Sequence, residues 1–133
     1  MRLATWNVNS IRTRVDRVLA FLEREDVDAL AMQEIKCRPD QFPVEPFEAA
    51  GYRLAIHGLN QWNGVAIASR VGLDDVATSF PGQPGWAAKS EAEPVVEARA
   101  LGATVGAASE ARPVRLWSLY VPNGRELTHP HYT

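Results

Sequence analysis

The sequence has a single cysteine and no long apolar run. Cys37 is the only cysteine among 133 residues, which excludes an intrachain disulfide and favours a reducing compartment. No apolar run approaches the roughly 20 residues that a membrane helix requires, which argues against a membrane protein. The first residues lead directly into a predicted strand without the apolar stretch of a secretory signal, so the expected location is cytoplasmic.

The sequence also has no excess of basic over acidic residues. The chain has 14 lysines and arginines against 16 aspartates and glutamates, a formal net charge of −2. Proteins that hold nucleic acid by a broad basic surface carry a clear positive excess, so such a surface is excluded. The net charge does not exclude a local basic lip, that is, a small patch of positive charge at the edge of the site, because Arg12, Arg14 and Arg17 lie near the start of the first predicted helix. The alternative is that these arginines form a solvated helix face.

The composition is that of a globular protein. Hydrophobic residues make up 46% of the sequence and charged residues 23%, a balance that excludes disordered and membrane classes. A length of 133 residues suffices for one domain with a core, or for part of one, and is too short for two ordinary domains.

The most informative pattern is a strand, a helix and a strand near the N-terminus. The first apolar run ends in WNVNS at residues 6–10, and the second ends in QEIK at residues 33–36. Because this order makes the two strands parallel, Asn7 and Glu34 are expected at the same edge of the sheet, where open α/β sheets bind ligands. A carboxylate beside amide oxygens suits Mg²⁺, which takes further ligands from water and substrate phosphate. The pattern therefore predicts metal-assisted phosphate chemistry.

Hydrophobic spacing and turn residues predict the other elements. Apolar residues at helical spacing predict one helix, with Ser10 as its N-cap and its end near Asp26. The remaining predicted elements are a strand at 28–33, a loop at 37–50 with one helical turn at 47–50, a hairpin of strands at 52–57 and 64–70, a strand at 75–80, a surface loop at 81–94, and a second hairpin of strands at 95–105 and 114–121.

Two of the predicted strands are continuously apolar. Residues 3–6 and 65–68 carry apolar side chains at successive positions instead of alternating ones. Such strands are buried on both faces, as in a sheet with helices on one side and another layer on the other. Since the chain offers only one clear helix, we expect one face of the sheet to lack its covering layer.

Four segments together resemble the bacterial exonuclease III family, which belongs to the endonuclease/exonuclease/phosphatase superfamily. They are WNVNSIR at residues 6–12, QEIKC at 33–37, NGVAI at 63–67 and LYVPNGR at 119–125, in the family's order and spread over nearly the whole chain. The resemblance implies an α/β (α+β) fold, namely one half of a two-sheet β-sandwich flanked by helices. It also implies that residues 1–133 are the N-terminal part of a single domain whose C-terminal half is absent.

The same resemblance implies an activity and its partners. Members of this family are DNA repair nucleases that depend on Mg²⁺ or Mn²⁺. They act as 3′ exonucleases and abasic-site endonucleases, so the implied partner is double-stranded DNA with abasic sites or blocked 3′ ends. We expect the intact protein to be a monomer with no membrane association.

The resemblance assigns the chemistry to three side chains. Glu34 matches the family's metal-binding glutamate, and Asn7 matches an amide that supports the metal, the phosphate or the neighbouring catalytic groups. Tyr120 matches a tyrosine placed against the scissile phosphate. Asn9 stands where some relatives carry an acidic second metal contact. Without the resemblance, the first three would be interpreted as a strand-end acid, a turn residue and a packing tyrosine.

Substrate contacts are implied at three further positions. Asn123 and Arg125 match residues of a loop that meets the DNA backbone, and Arg12 matches a phosphate contact. Without the resemblance, Asn123 and Arg125 would be interpreted as ordinary turn residues around a glycine. No catalytic histidine of the family is matched by the histidines of this chain, which are His57, His129 and His131.

The sequence departs from the family in two motifs. It contains neither the Asp-x-Asn pair that handles water and metal nor the Asp-His pair that completes the site. Metal-assisted hydrolysis needs a positioned water as well as charge neutralisation, so we expect the chain alone to be inactive. Because we also expect an uncovered apolar sheet face, we expect it to be prone to self-association. Two alternatives stay open: a non-catalytic binding fragment or truncated product, and a superfamily phosphodiesterase or phosphatase acting on a non-DNA ester such as a phosphoinositide or sphingomyelin.

Overall fold

The fold is built from two β-sheets and two short α-helices. A computed structural model describes residues 1–58, 63–78, 99–106 and 112–120. In chain order the elements are β1 (Leu3–Asn7), a 3₁₀ turn (Ile11–Thr13), α1 (Val15–Arg24), β2 (Ala29–Gln33), a second 3₁₀ turn (Pro39–Gln41), α2 (Val44–Ala49), β3 (Arg53–His57), β4 (Val65–Ser69), β5 (Leu73–Ala77), β6 (Ala100–Val105) and β7 (Val114–Leu119).

The first sheet has the strand order β1-β2-β4-β3. β1 and β2 are parallel, with Asn7 opposite Gln33, whereas β4 is antiparallel to both of its neighbours. The predicted parallel pair and the predicted hairpin of β3 and β4 are therefore confirmed. As a consequence, β1 and β2 end at the same edge, and the side chains that follow them meet there.

The second sheet is antiparallel, has the order β5-β6-β7 and packs on the first. Its β6 side chains Leu101, Ala103 and Val105 are buried against Val65 and Ile67 of β4. The predicted hairpin of β6 and β7 is confirmed for the residues described. The expectation that one face of the first sheet lacks a layer is wrong, because this second sheet covers that face.

The other face of the first sheet is covered by the helices. Val18 and Leu22 of α1 and Phe47 of α2 are fully buried in the same cluster as Leu30 and Met32 of β2. Alternate residues of β2 are thus buried in two different cores. Burial of each large aliphatic side chain stabilises the folded state by about 1.5–3 kcal/mol. This double burial agrees with the continuous apolar run of the strand.

Burial on both faces is confirmed for β4 and wrong for β1. Every residue of β4 is buried, but β1 alternates between exposed and half-buried residues, with Leu3, Thr5 and Asn7 on the exposed side. The physical reason is position, because β1 is the outermost described strand of its sheet, and the extensive contacts with the second sheet are made by β2, β3 and β4. An apolar run reports composition, whereas burial depends on the neighbours.

The first helix begins later than predicted, and Ser10 does not cap it. Ser10 has a φ of 83° and makes no side-chain capping hydrogen bond, and a 3₁₀ turn separates it from α1. Its backbone N–H donates to the carbonyl of Glu34 at 2.8 Å, and its own carbonyl accepts from the Thr13 hydroxyl. Ser10 therefore belongs to the loop at the sheet edge and not to the helix.

The second helix begins earlier than the predicted single turn at 47–50. α2 begins at Val44, and Pro46 lies in its first turn, where the missing N–H has no intrahelical partner to lose. Among the residues described, no helix is long and apolar enough to cross a membrane.

Candidate functional site

Three polar side chains from three strand ends converge at one edge of the sandwich. Asn7 is the last residue of β1, Glu34 follows β2, and Tyr120 follows β7 of the second sheet. The Tyr120 and Asn7 side chains lie beside the Glu34 carboxylate, and hydrogen bonding from both lowers the pKa of Glu34. The structure thus brings together the three residues for which the sequence predicts chemistry.

Backbone hydrogen bonds hold the loops of this edge against one another. The segment after β1 bonds to the segment after β2, which in turn bonds to the residues before β4. The bonds are Val8 N–H to Gln33 O (2.9 Å), Ser10 N–H to Glu34 O (2.8 Å), Ile11 N–H to Ile35 O (3.1 Å), Ile35 N–H to Gly64 O (3.2 Å) and Lys36 N–H to Asn63 O (2.9 Å). The loop that carries Glu34 is therefore fixed on both sides, as a preorganised site requires.

Strained backbone is concentrated at the same edge. The described non-glycine residues with positive φ include five from these loops: Asn9 (44°), Ser10 (83°), Glu34 (53°), Lys36 (56°) and Asn63 (58°). Left-handed conformations of non-glycine residues cost free energy and tend to occur where function requires them. The alternation around buried Ile35 points Glu34 and Lys36 away from the core.

The electrostatic environment keeps Glu34 ionised. Its side chain is only 20% exposed, and burial by itself would raise its pKa. Hydrogen bonds from Tyr120 and Asn7 and the positive charge of Lys36 outweigh that effect, so the pKa of Glu34 lies below its ordinary value. A carboxylate that stays charged is available as a cation ligand.

Tyr120 lies between a carboxylate and a guanidinium. Burial, the hydrogen bond to Glu34 and the charge of Glu34 raise the pKa of Tyr120, while a hydrogen bond from Arg99 opposes the shift. The Arg99 guanidinium carbon lies 4.7 Å from the centre of the Tyr120 ring, and the Tyr120 backbone N–H donates to the Arg99 carbonyl at 2.8 Å. Tyr120 therefore stays protonated and is held by Arg99 through both backbone and side chain.

Two cationic residues flank the carboxylate from the first sheet. The Lys36 ammonium lies 3.6 Å from a Glu34 oxygen and donates to the Asn9 side chain. Arg12 is exposed, and its guanidinium donates to the Lys36 carbonyl at 3.3 Å. Of the predicted basic lip, Arg12 contacts the loop that carries Glu34, and Lys36 adds a positive charge that was not predicted.

Sequence reasoning assigned no role to Lys36, Arg99 or Gln33. Lys36 lies within a recognised segment, and its spacing of two from Glu34 was the available signal. Arg99 carries no local signal, because its proximity to Tyr120 depends on the pairing of β6 with β7. Gln33 is a polar residue at the end of a buried strand, only 8% exposed, and such a residue calls for a hydrogen-bond partner.

Other residues considered in the sequence analysis are either not described by the structure or buried. Asn123, Arg125, His129 and His131 lie outside the described residues. Cys37 is fully buried, and burial raises its pKa although the charge of Arg12 opposes this, so its thiol stays protonated.

The donor set fits a hard divalent cation. Glu34 supplies a charged carboxylate, and the Asn7 side-chain oxygen, which already accepts the Asn9 N–H at 3.2 Å, keeps a second lone pair. Mg²⁺ needs only one or two carboxylates and keeps waters and phosphate oxygens as its other ligands. In the described part of the chain, no group of three or more histidine, cysteine, aspartate and glutamate side chains is placed to hold a metal ion.

Three solved or curated nucleases are similar to this chain. Exodeoxyribonuclease III of Haemophilus influenzae is 31% identical over 81 residues, which are 61% of this chain and 30% of that protein. A 3'-5' exonuclease (NExo) from Neisseria meningitidis is 32% identical with a TM-score of 0.80, and an AP endonuclease from Archaeoglobus fulgidus is 33% identical with a TM-score of 0.79. Each structural match covers 99% of this chain and 46% of the other.

The two solved structures are thus similar to almost all of this chain, and the chain spans less than half the length of each of the three relatives. The Endonuclease/Exonuclease/phosphatase family matches residues 4–132. The two-sheet architecture agrees with the solved neighbours, and the converging side chains come from segments within the matched range. The chain belongs to the Endonuclease/Exonuclease/phosphatase family.

Proposed function

We propose that this chain carries the metal- and phosphate-binding part of a DNA repair nuclease. The intact enzyme hydrolyses phosphodiesters as a 3′ exonuclease and abasic-site endonuclease on double-stranded DNA. The observation that carries the proposal is the contact of Glu34 with both Asn7 and Tyr120 at one sheet edge. Additional support comes from the similar proteins, one of which is described as the 3' phosphatase NExo bound to a product DNA hairpin, 32% identical to this chain.

Glu34 and Asn7 hold the cation in this proposal. The cation is Mg²⁺, for which Mn²⁺ can substitute, and when bound it neutralises phosphate charge and polarises the phosphoryl group. The Lys36 ammonium lies 3.6 Å from a Glu34 oxygen and partly neutralises the carboxylate. Asn7 lowers the pKa of Glu34 by hydrogen bonding, and its side-chain oxygen, which accepts the Asn9 N–H, would supply a second ligand oxygen.

Tyr120 and the basic residues bind the phosphate. The Tyr120 hydroxyl remains protonated beside Glu34 and can donate a hydrogen bond to a phosphate oxygen, where a preorganised donor stabilises developing charge. Arg12 contributes positive charge from the exposed side. Asn123 and Arg125 are proposed to contact the DNA backbone on the strength of their sequence segment alone.

The attacking water is handled by residues that this chain does not supply. The sequence has no Asp-x-Asn and no Asp-His motif, so we propose that residues 1–133 form the N-terminal part of one domain and need a matching C-terminal part for turnover. The intact protein is proposed to act as a monomer. Its lone cysteine is a buried thiol, which suits the cytoplasm.

Metal binding and nicking of abasic DNA test this function together. The 133-residue chain is titrated with Mn²⁺ by electron paramagnetic resonance, and we expect Glu34→Gln to weaken binding at least tenfold. Glu23→Gln, which neutralises an exposed acid of α1, is the matched control and leaves the affinity unchanged. Equal affinity of the wild-type chain and Glu34→Gln would refute the metal site.

Activity is measured after co-expression with the C-terminal half of a similar nuclease. We expect Glu34→Ala to abolish nicking of abasic duplex DNA, because loss of a catalytic metal ligand removes several kcal/mol of transition-state stabilisation. The melting temperature should change little, since Glu34 lies outside the core. A panel that includes a phosphoinositide and sphingomyelin separates the DNA hypothesis from the other phosphoesterases, and cleavage of those esters alone would contradict it.

A further inference from the structure

A buried polar connection joins the two sheets directly beneath the candidate site. The Gln33 side-chain amide nitrogen donates to the Ser118 hydroxyl at 3.0 Å and to the Thr5 hydroxyl at 3.0 Å. Ser118 donates in turn to the Met32 carbonyl at 2.7 Å. Gln33 is 8% exposed and Ser118 is fully buried. The connection therefore links β1 and β2 of the first sheet to β7 of the second.

The directions of the two hydrogen bonds made by Ser118 are defined. Ser118 uses its only proton on the Met32 carbonyl, so it must accept from Gln33. Gln33 consequently turns its NH₂ group, and not its oxygen, towards the second sheet. A buried polar network with satisfied partners specifies one arrangement of the elements it joins.

The two sheets have no shared ladder that would set the spacing of the site residues. β2 and β7 lie in different sheets, so their separation depends on side-chain contacts. Gln33 directly precedes Glu34, and Ser118 precedes Tyr120 by two residues, which places Ser118 and Tyr120 on the same face of the strand. The Gln33–Ser118 contact is therefore adjacent to the Glu34–Tyr120 contact.

We infer that Gln33 and Ser118 are positioning residues that hold Tyr120 against Glu34. The inference rests on the proposed function for its importance to catalysis, but the positioning itself is a property of the chain. An apolar side chain of similar size could fill the space of Gln33 and keep the core packed. It could not bind Ser118, so of the two hydrogen bonds that join β7 to β2 here only the one from Ser118 to the Met32 carbonyl would remain, and the position of β7 at this edge would be less well defined.

Fluorine NMR of the full chain tests the positioning without metal or DNA. The chain has three tyrosines, so labelling with 3-fluorotyrosine gives three resonances, and Tyr120→Phe identifies the one from Tyr120. The change in the chemical shift of that resonance caused by Glu34→Gln then measures how strongly Tyr120 senses the neighbouring carboxylate. We call this change the response. We expect Gln33→Met and Ser118→Ala to remove most of this response, because the ring no longer stays against residue 34.

Two control variants separate positioning from a general loss of stability. Ser118→Thr keeps the hydroxyl and should retain the response. Ser69→Ala removes another fully buried hydroxyl, which donates to the Gly72 carbonyl at 2.7 Å far along β4 from the site, and should leave the response intact. A melting curve for every variant shows which of them are folded.

The outcomes distinguish this inference from the nuclease proposal. A full response in folded Gln33→Met and Ser118→Ala would overturn the inference; if Gln33→Met does not fold, Ser118→Ala decides alone. If Gln33→Met and Ser118→Ala lose the response but the complemented wild-type protein does not nick abasic DNA, only the nuclease proposal is refuted. In an active complemented protein, Ser118→Ala should lower kcat more than it raises KM, and Ser118→Thr should restore kcat.

Discussion

At the residue scale, Tyr120 joins the acidic and basic groups of the site. Its hydroxyl donates to Glu34, and its ring lies over Arg99, which is 7% exposed. In the proposed function, a phosphate oxygen would accept the hydrogen bond of the Tyr120 hydroxyl in place of the Glu34 carboxylate. The tyrosine would then be a preorganised donor, and Glu34 would provide the charge.

Tyr120→Phe should therefore be milder than Glu34→Ala. Removal of one preorganised donor costs about 2.7–4 kcal/mol of transition-state stabilisation, or roughly 10²–10³ in kcat. The ring and its contact with Arg99 remain, so the melting temperature should change little. Steady-state nicking kinetics of the complemented protein measure the effect. A fall to the residual rate of Glu34→Ala would show that Tyr120 does more than bind the phosphate.

At the element scale, the close approach of two loops depends on a glycine. Gly64 precedes β4 with a φ of +89°, and a Cβ atom there would lie 2.5 Å from the Ile35 side chain. Ile35 separates Glu34 from Lys36 and is fully buried. The position of the Glu34 loop therefore depends on the absence of a side chain at residue 64.

Gly64→Ala should destabilise the fold more than Gly51→Ala. Both positions have left-handed backbone, Gly51 with a φ of +91°, but a Cβ atom at Gly51 meets nothing within 4 Å. Left-handed strain of about 1–2 kcal/mol is common to both, and overpacking against Ile35 adds about 1–3 kcal/mol at Gly64. Chemical denaturation measures the two losses. Equal losses would show that Ile35 relaxes freely.

The opposite end of the first sheet is held by an ion-pair cluster. Asp28, at the start of β2, accepts the Arg2 backbone N–H at 2.6 Å and the Arg70 guanidinium at 3.0 Å, which ties the beginning of β1 to the end of β4. The Arg2 N–H lowers the pKa of Asp28, burial partly offsets that effect, and Arg70 lowers the pKa further.

Asp28→Asn should lower the free energy of unfolding by about 1.5–3 kcal/mol near neutral pH, as for hydrogen bonds to charged groups. Because the pKa of Asp28 is lower in the folded state, this stability is present above the unfolded pKa of about 3.9 and is lost as the pH falls below it. Urea melts from neutral to acid pH should therefore show the gap between wild type and variant closing. Asp74→Asn, at an exposed position of β5, is the control, and a gap that persists in acid would contradict the assignment.

At the scale of the whole molecule, both outer strands next to the site present apolar side chains. Leu3 of β1 is 40% exposed and Leu119 of β7 is 48% exposed, and each strand is the last of its sheet. Open strand edges with apolar residues favour association between chains. Self-association therefore remains our prediction, for a reason other than an uncovered sheet face.

Sedimentation velocity should show concentration-dependent association of the chain expressed alone. A Leu3→Lys and Leu119→Lys double variant should reduce it, because charged side chains block edge pairing. Ala20→Lys, at an exposed position of α1, is the control for added charge away from any strand edge. A monodisperse wild-type chain with a sharp cooperative melt would contradict the prediction, and equal improvement by Ala20→Lys would assign the effect to solubility alone.

The sequence by itself determined the features of the fold and site that depend on chain order and local pattern. A helix between two strands makes those strands parallel, so Asn7 and Glu34 had to end at one edge. The continuous apolar run of β4 predicted its burial correctly, whereas the same pattern in β1 did not. The short recognised segments determined the family, because they place particular residue types at strand ends.

Only the tertiary structure decided the contacts between the sheets. Gln33 and Ser118 are 85 residues apart, and Arg99 meets Tyr120 through the pairing of β6 with β7. The exposure of β1 and the covering of the first sheet by the second were decided in the same way. Hydrophobic periodicity shows which side of a strand is apolar, but the choice of the strand that covers it results from the packing of the whole chain.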